Sequence, residues 1–124
     1  MAVTIIPLGL GSGNGQRIIR DADTDETAEV NVNDGAATIY ALTIDNTANG
    51  AKSFVKFWDA ADTVVVGTTA PNVIIMMPAS VSRTFVFKTG LTLGTGLSFA
   101  AVTTAGTAGT TGPTSAVIMN VVVQ

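Results

Sequence analysis

In this chain of 124 residues apolar side chains hardly ever recur at helical spacing. They alternate with polar ones in short runs broken by Gly, Asn, Asp and Pro, the pattern of half-buried strands joined by tight turns. The clearest case begins at Thr27, where Ala28, Val30 and Val32 alternate with Glu29, Asn31 and Asn33 and lead to Asp34-Gly35. A type I′ hairpin turn needs positive φ at both central residues, and Asp-Gly tolerates that. The return run puts Tyr40, Leu42 and Ile44 on one face and stops at Asp45-Asn46. Asn49-Gly50 then precedes a run with Phe54, Val55, Phe57 and Trp58. Three consecutive antiparallel strands are expected here.

Further strands are expected at Ala2 to Leu8, Thr63 to Val66, Val73 to Met77, Val81 to Lys88, Leu97 to Thr103 and Ser115 to Val123. Pro7 marks the first of these as an edge or an arm, because it cannot donate to a ladder. Val73 to Met77 is apolar on both faces, as in a central strand or one covered by a neighbour. Gly9 to Gly15 is glycine-rich but lacks the Lys-Ser/Thr and following helix of a phosphate loop, so it reads as a flexible turn. Thr104 to Thr114 is low in complexity and is expected as a long exposed loop. The stretch from Lys52 to Thr104 is rich in Phe and holds the only Trp, which centres the expected core there. Eight or nine short strands with regular turns point to an all-β, two-sheet antiparallel β-sandwich, with the jelly roll as one arrangement. Residues 1–26 form an N-terminal arm or edge strand with an acidic loop, and residues 27–124 form the sandwich domain.

Charge narrows the function. Charged residues make up 12% of the chain, against about 25% in ordinary domains. A neutral exterior rich in Thr and Ala suits a chain whose sides lie against neighbouring subunits. The net charge is −3 and the six Lys and Arg are scattered, so no basic patch for nucleic acid is expected. No apolar run has the length of a membrane helix, and too few aromatic residues are present for the two girdles of a membrane barrel. The N-terminus lacks the basic region of a signal peptide, consistent with cytoplasmic synthesis.

With no His and no Cys, the commonest general base, the Ser and Cys triads and the usual zinc sites are absent. A glycosidase-type carboxylate pair would have to come from Asp34, Asp45, Asp59 and Asp62, most of them in expected turns. No enzyme activity, catalytic residue or cofactor is expected. Five of the nine acids, Asp21, Asp23, Asp25, Glu26 and Glu29, crowd into one stretch. Their alternation resembles the start of a calcium loop, but an EF-hand loop needs Gly at its sixth position and Glu at its twelfth, where this chain has Glu26 and Val32. A solvated acidic loop is therefore expected, with adventitious or structural calcium as the alternative reading. Glycan binding would need an exposed aromatic platform, for which Trp58 and Tyr40 are the candidates. Trp58 is expected to be buried, although either face of its strand, Phe54 and Trp58 or Val55 and Phe57, could be the core side.

The runs FVKFWD, VVVGTTAP, IIMMPAS and FVFKTGLTLGTGLSFAAVTT, followed by a closing apolar strand, resemble small β-sandwich virion proteins of tailed bacteriophages over Lys52 to Val123. Ala79 and Leu93 depart from that pattern, where a Gly and an aromatic residue are more usual. The resemblance implies a capsid decoration or cement protein, a homotrimer on the outer capsid surface that binds the major capsid protein and clamps adjacent capsomers. A tail, baseplate or head-fibre anchor is the alternative virion role, and a carbohydrate-binding or adhesin module the alternative outside it. In the decoration reading the N-terminal segment adds to a neighbour, and Val3, Ile5, Ile6, Leu8, Arg17 and Arg20 are candidate interface residues. Arg83 joins them because it falls on the apolar side of its strand. There it could serve an interface, pair with Asp59 or Asp62, or extend its head into water.

Overall fold

The computed structural model describes residues 3–7 and 16–124. Eight strands are found among them and no helix: β1 (Val3–Pro7), β2 (Arg17–Thr24), β3 (Ala37–Asp45), β4 (Ser53–Asp59), β5 (Val73–Met77), β6 (Ser82–Leu93), β7 (Leu97–Val102) and β8 (Val117–Val123). They form two antiparallel sheets, ordered β1-β2-β8-β3-β6 and β5-β4-β7. The chain is thus an all-β, two-sheet sandwich. Gly9 to Gly15, Ala2 and Leu8 lie outside the described residues.

The pairs nest. β4 lies beside β5, β3 beside β6 and β2 beside β8, while Glu29 makes an isolated bridge to Phe99 of β7. Counting the segment around Glu29 as the neighbour of β7, this is one long hairpin rolled up into two sheets, the connectivity of a jelly roll. β1 is an additional edge strand, whereas β2 lies inside the larger sheet with Ile19 in the core.

Alternation decides what is buried. In β8, Val117, Met119, Val121 and Val123 all face inward, as the sequence pattern requires. In β4, Val55 and Phe57 point into the core, and the Phe57 ring meets Phe99 at a centroid distance of 6.2 Å. Burying such side chains contributes roughly 1.5–3 kcal/mol each. Core residues come as much from β2, β3 and β8 as from the stretch between Lys52 and Thr104, so the core is shared by both sheets rather than centred on that stretch.

Several expectations change. The segment from Thr27 to Asn33 is not a regular strand. It follows β7 with too many residues, because Ala101 N–H donates to Asp25 O (2.8 Å), Glu29 and Phe99 exchange two bonds (2.9 and 3.0 Å), and Val32 N–H donates to Leu97 O (2.9 Å). The surplus bulges out and Asn31 takes a φ of 52°. Glu29 is buried and Val30 exposed, the reverse of the expected phase, while Val32 beyond the bulge still packs against the core. Asp34 and Gly35 do have positive φ, 52° and 127°. Yet the turn crosses between sheets rather than closing a hairpin, since β3 pairs with β6 and β8. β3 and β4 likewise lie in different sheets, which removes the expected run of three paired strands.

Within β3, Ile39 faces Val123 and Ala41 faces Val122, so Tyr40 is an extra residue and the inward phase shifts at this bulge. Ala37 and Ile39, then Leu42 and Ile44, are the buried residues, and Tyr40 is not on their face. Beside it Gly90 has a φ of +83°, and a Cβ there would come within 2.5 Å of Thr38 Cγ2 and 3.3 Å of the Tyr40 ring. Thr63 to Val66 is loop, closed by a turn in which Thr68 and Thr69 N–H donate to Val65 O. β5 is an edge strand rather than a central one.

Candidate functional site

The outer face of the larger sheet carries an unbroken apolar row. The registers place Ile6 beside Ile18, Ile18 beside Val122, Val122 beside Ala41 and Ala41 beside Val86, so one row crosses all five strands. Val86 is 75% exposed and Ile6 44%, with Ile18, Ala41 and Val122 half-buried. The next outward row, Thr4, Arg20, Asn120, Thr43 and Thr84, is polar and has one charge. It is tied across strands by Arg20 Nη1 donating to Asn120 Oδ1 (3.2 Å) and by the Thr43 and Thr84 hydroxyls at 3.0 Å. Solvated outer faces of antiparallel sheets are normally polar. An apolar row of this length is unusual on a surface that faces only water.

β1 extends beyond the sandwich. Ile5 and Ile6 point to opposite faces of the sheet, as neighbours in a strand must, yet Ile5 is 49% exposed on the face that is core elsewhere. The smaller sheet therefore does not reach over it. Val3, two residues earlier on the same inward face, still packs against the core. Of the other candidate interface residues, Leu8 lies outside the described residues, and Arg17 is engaged within the chain, with Nε donating to Asn33 Oδ1 at 2.8 Å. Arg83 stands opposite Ile44 on the inward side at the end of β6 and is exposed. Asp59 is taken up elsewhere: its carboxylate accepts the N–H groups of Gly94, Thr95 and Gly96, which hold its pKa below the ordinary range, Thr95 having the largest effect.

The smaller sheet has two different outer halves. Lys56 and Trp58 face outward but are fully covered. Trp58 Nε1 donates to Thr69 O (2.9 Å), and Lys56 Nζ donates to Thr107 O (3.1 Å) and Gly109 O (2.8 Å). The segment from Thr104 to Thr114 is thus a roof over the sheet, with its backbone held by a lysine, and not a free loop. Desolvation lowers the Lys56 pKa. On the uncovered half, Ile74 and Met76 of β5 are exposed beside Phe54. With Trp58 buried, the stronger of the two aromatic platforms for sugars is closed off.

The acidic stretch is not a solvated loop. Asp21 lies on the inward face of β2 opposite Met119 and is fully buried, and Glu29, pinned by its bridge to Phe99, is 7% exposed. Carboxylate oxygens of Asp21, Asp23 and Glu29 lie within 4.8 Å of one another. Thr24 Oγ1 and Asp23 N–H donate to the two oxygens of Asp21 (2.9 and 3.1 Å). Burial, followed by the charges of Asp21 and Asp23, pushes the Glu29 pKa up from 4.5 to about 7, and burial also raises Asp21. The alternation of Ala28, Val30 and Val32 hid this group. The cue was the turn-prone Asn31, Asn33 and Asp34, which argue against a regular strand.

No family model matches the chain, and no curated protein or solved structure matches it.

Proposed function

We propose that this chain is a structural virion subunit, a capsid decoration or cement protein that assembles as a homotrimer on the outer surface of a phage head. The observation that carries the reading is the outward apolar row Ile6, Ile18, Val122, Ala41 and Val86. A surface of this kind gains stability when a neighbour covers it. The overhanging β1 supports the same reading, because its free edge can accept a strand or lie along a neighbouring subunit. The jelly-roll connectivity is compatible with a coat role but also serves lectins, so it carries little of the argument.

In this reading function is binding alone. Many apolar and main-chain contacts repeated over a shell stabilise the shell and the subunit together by mass action. Light scattering at micromolar concentration should give three times the chain mass of 12.6 kDa, about 38 kDa. Val86→Asp should leave the fold intact, changing stability by no more than about 0.5 kcal/mol at so exposed a site, while abolishing both trimer formation and co-sedimentation with purified capsids that lack the protein. A variant that still assembles and binds would overturn the role of the row.

A further inference from the structure

We infer, on the homotrimer reading above, that the three copies join head to tail, with the free edge of β1 in one copy paired beside the free edge of β6 in the next. Among the described residues no strand lies beyond β1 or β6, whereas the outer edge of β7 is occupied around Glu29. Each step along β1-β2-β8-β3-β6 is antiparallel, so the two edge strands run the same way. A rotation axis lying along the strands preserves that direction and brings β1 of one copy beside β6 of its neighbour as a parallel pair. Contacts between two different edges close into a ring where the rotation permits.

The two edges match in register. Among the described residues, the exposed large apolar side chains of the larger sheet all lie at its edges: Ile5 and Ile6 on β1, Val86 on β6. The inward row runs from Ile5 through Ile19, Val121 and Leu42 to Phe85, and the outward row from Ile6 to Val86. Set side by side, Ile5 of one copy lies beside Phe85 of the next and Ile6 beside Val86, so both rows continue unbroken. The usable lengths agree as well. Ile39 stands opposite Leu91 and Ala41 opposite Val86, so residues 87–90 of β6 bulge from the ladder. Val3 to Ile6 are level with Arg83 to Val86, the regular half before that bulge, and Pro7, which has no N–H to donate, falls where the ladder breaks. Charge selects the partner. Arg83 is exposed on the inward side, level with Val3, and β2 of the neighbouring copy continues past that level to Asp23, Asp25 and Glu26. An inward-pointing charge guards an edge against stray strands. A second copy brings carboxylates to meet it, so the edge accepts its own kind.

The chain has no Cys, which makes disulfide mapping specific. Thr4 and Thr84 are exposed and stand at the same level of the two edges. Neighbouring strands lie about 4.8 Å apart, within the roughly 4.4–6.8 Å between Cα atoms that a disulfide spans. Full chains carrying Thr4→Cys and Thr84→Cys, mixed and oxidised at micromolar concentration, should cross-link to each other, and neither should cross-link alone. The double variant should give a covalent trimer of about 38 kDa, three times 12.6 kDa, and nothing larger. Light scattering on the same samples separates this edge pairing from the homotrimer reading. A trimer whose mixed chains do not cross-link, or in which one single variant links to itself, would overturn the edge pairing and leave the trimer standing. A ladder running past three chains would overturn the closed ring. A monomer without cross-links would overturn both.

Discussion

Two buried polar clusters tie the sheets together, and they are satisfied in opposite ways. In the first, Asn46 Nδ2 donates to Ala51 O (3.1 Å) and Pro78 O (3.0 Å), and its Oδ1 accepts from Asn49 Nδ2 and Ser53 Oγ, both at 2.8 Å. Asn49 in turn donates to Ser115 O and accepts Ser115 N–H, each at 2.8 Å. Every donor of Asn46 meets an acceptor. In the second cluster, Asp21, Asp23 and Glu29 present carboxylates to one another. Neutral amides and hydroxyls can complete a buried network by themselves, whereas neighbouring carboxylates push one another toward the protonated form.

Exchanging amide for acid should therefore act in opposite directions at the two clusters. Asn46→Asp puts a carboxylate against the carbonyls of Ala51 and Pro78 and should cost about 3 kcal/mol, read from the urea midpoint, because buried groups are left unpaired. Glu29→Gln should instead stabilise the chain by about 1 kcal/mol near neutral pH by removing one of three crowded charges. If both substitutions destabilise, the contrast between the clusters fails.

The smallest effect is a slope with pH, and it sharpens the comparison because the amide cluster cannot titrate. The folded pKa of Glu29, about 7, lies above its ordinary 4.5. Between these values the folded chain keeps a proton that the unfolded chain has lost. This contribution to stability should therefore be full below the lower value and decline as pH rises through the folded one. Urea midpoints at about pH 5 and about pH 8 test this, and Glu29→Gln should flatten the slope.

Much of the fold was legible because alternation is a local property. Val117 to Val123 and Leu97 to Val102 announced their strands, and the positive φ of Asp34 and Gly35 followed from residue type. What alternation does not carry is the identity of the partner. Asp34-Gly35 formed its turn yet joined segments in different sheets, and Tyr40 reversed the phase of β3 through a bulge set by its register with Val123 and Val122. The burial of Lys56 depends on carbonyls more than fifty residues away. The acid cluster escaped for the same reason, since only the bridge to Phe99 turns Glu29 inward.

The position of β8 governs when the fold can be completed. It is the middle strand of the larger sheet, between β2 and β3, and Arg20 meets Asn120 across a separation of 100 residues. Until residues 117–123 emerge during synthesis, β1 with β2 and β3 with β6 are two ribbons with bare inner edges and no common neighbour. Closing so long a loop is slow, and open edges invite pairing with other chains. The nascent polypeptide thus passes through a stage in which the centre of its main sheet is a gap, filled only when the eighth of the described strands has been made.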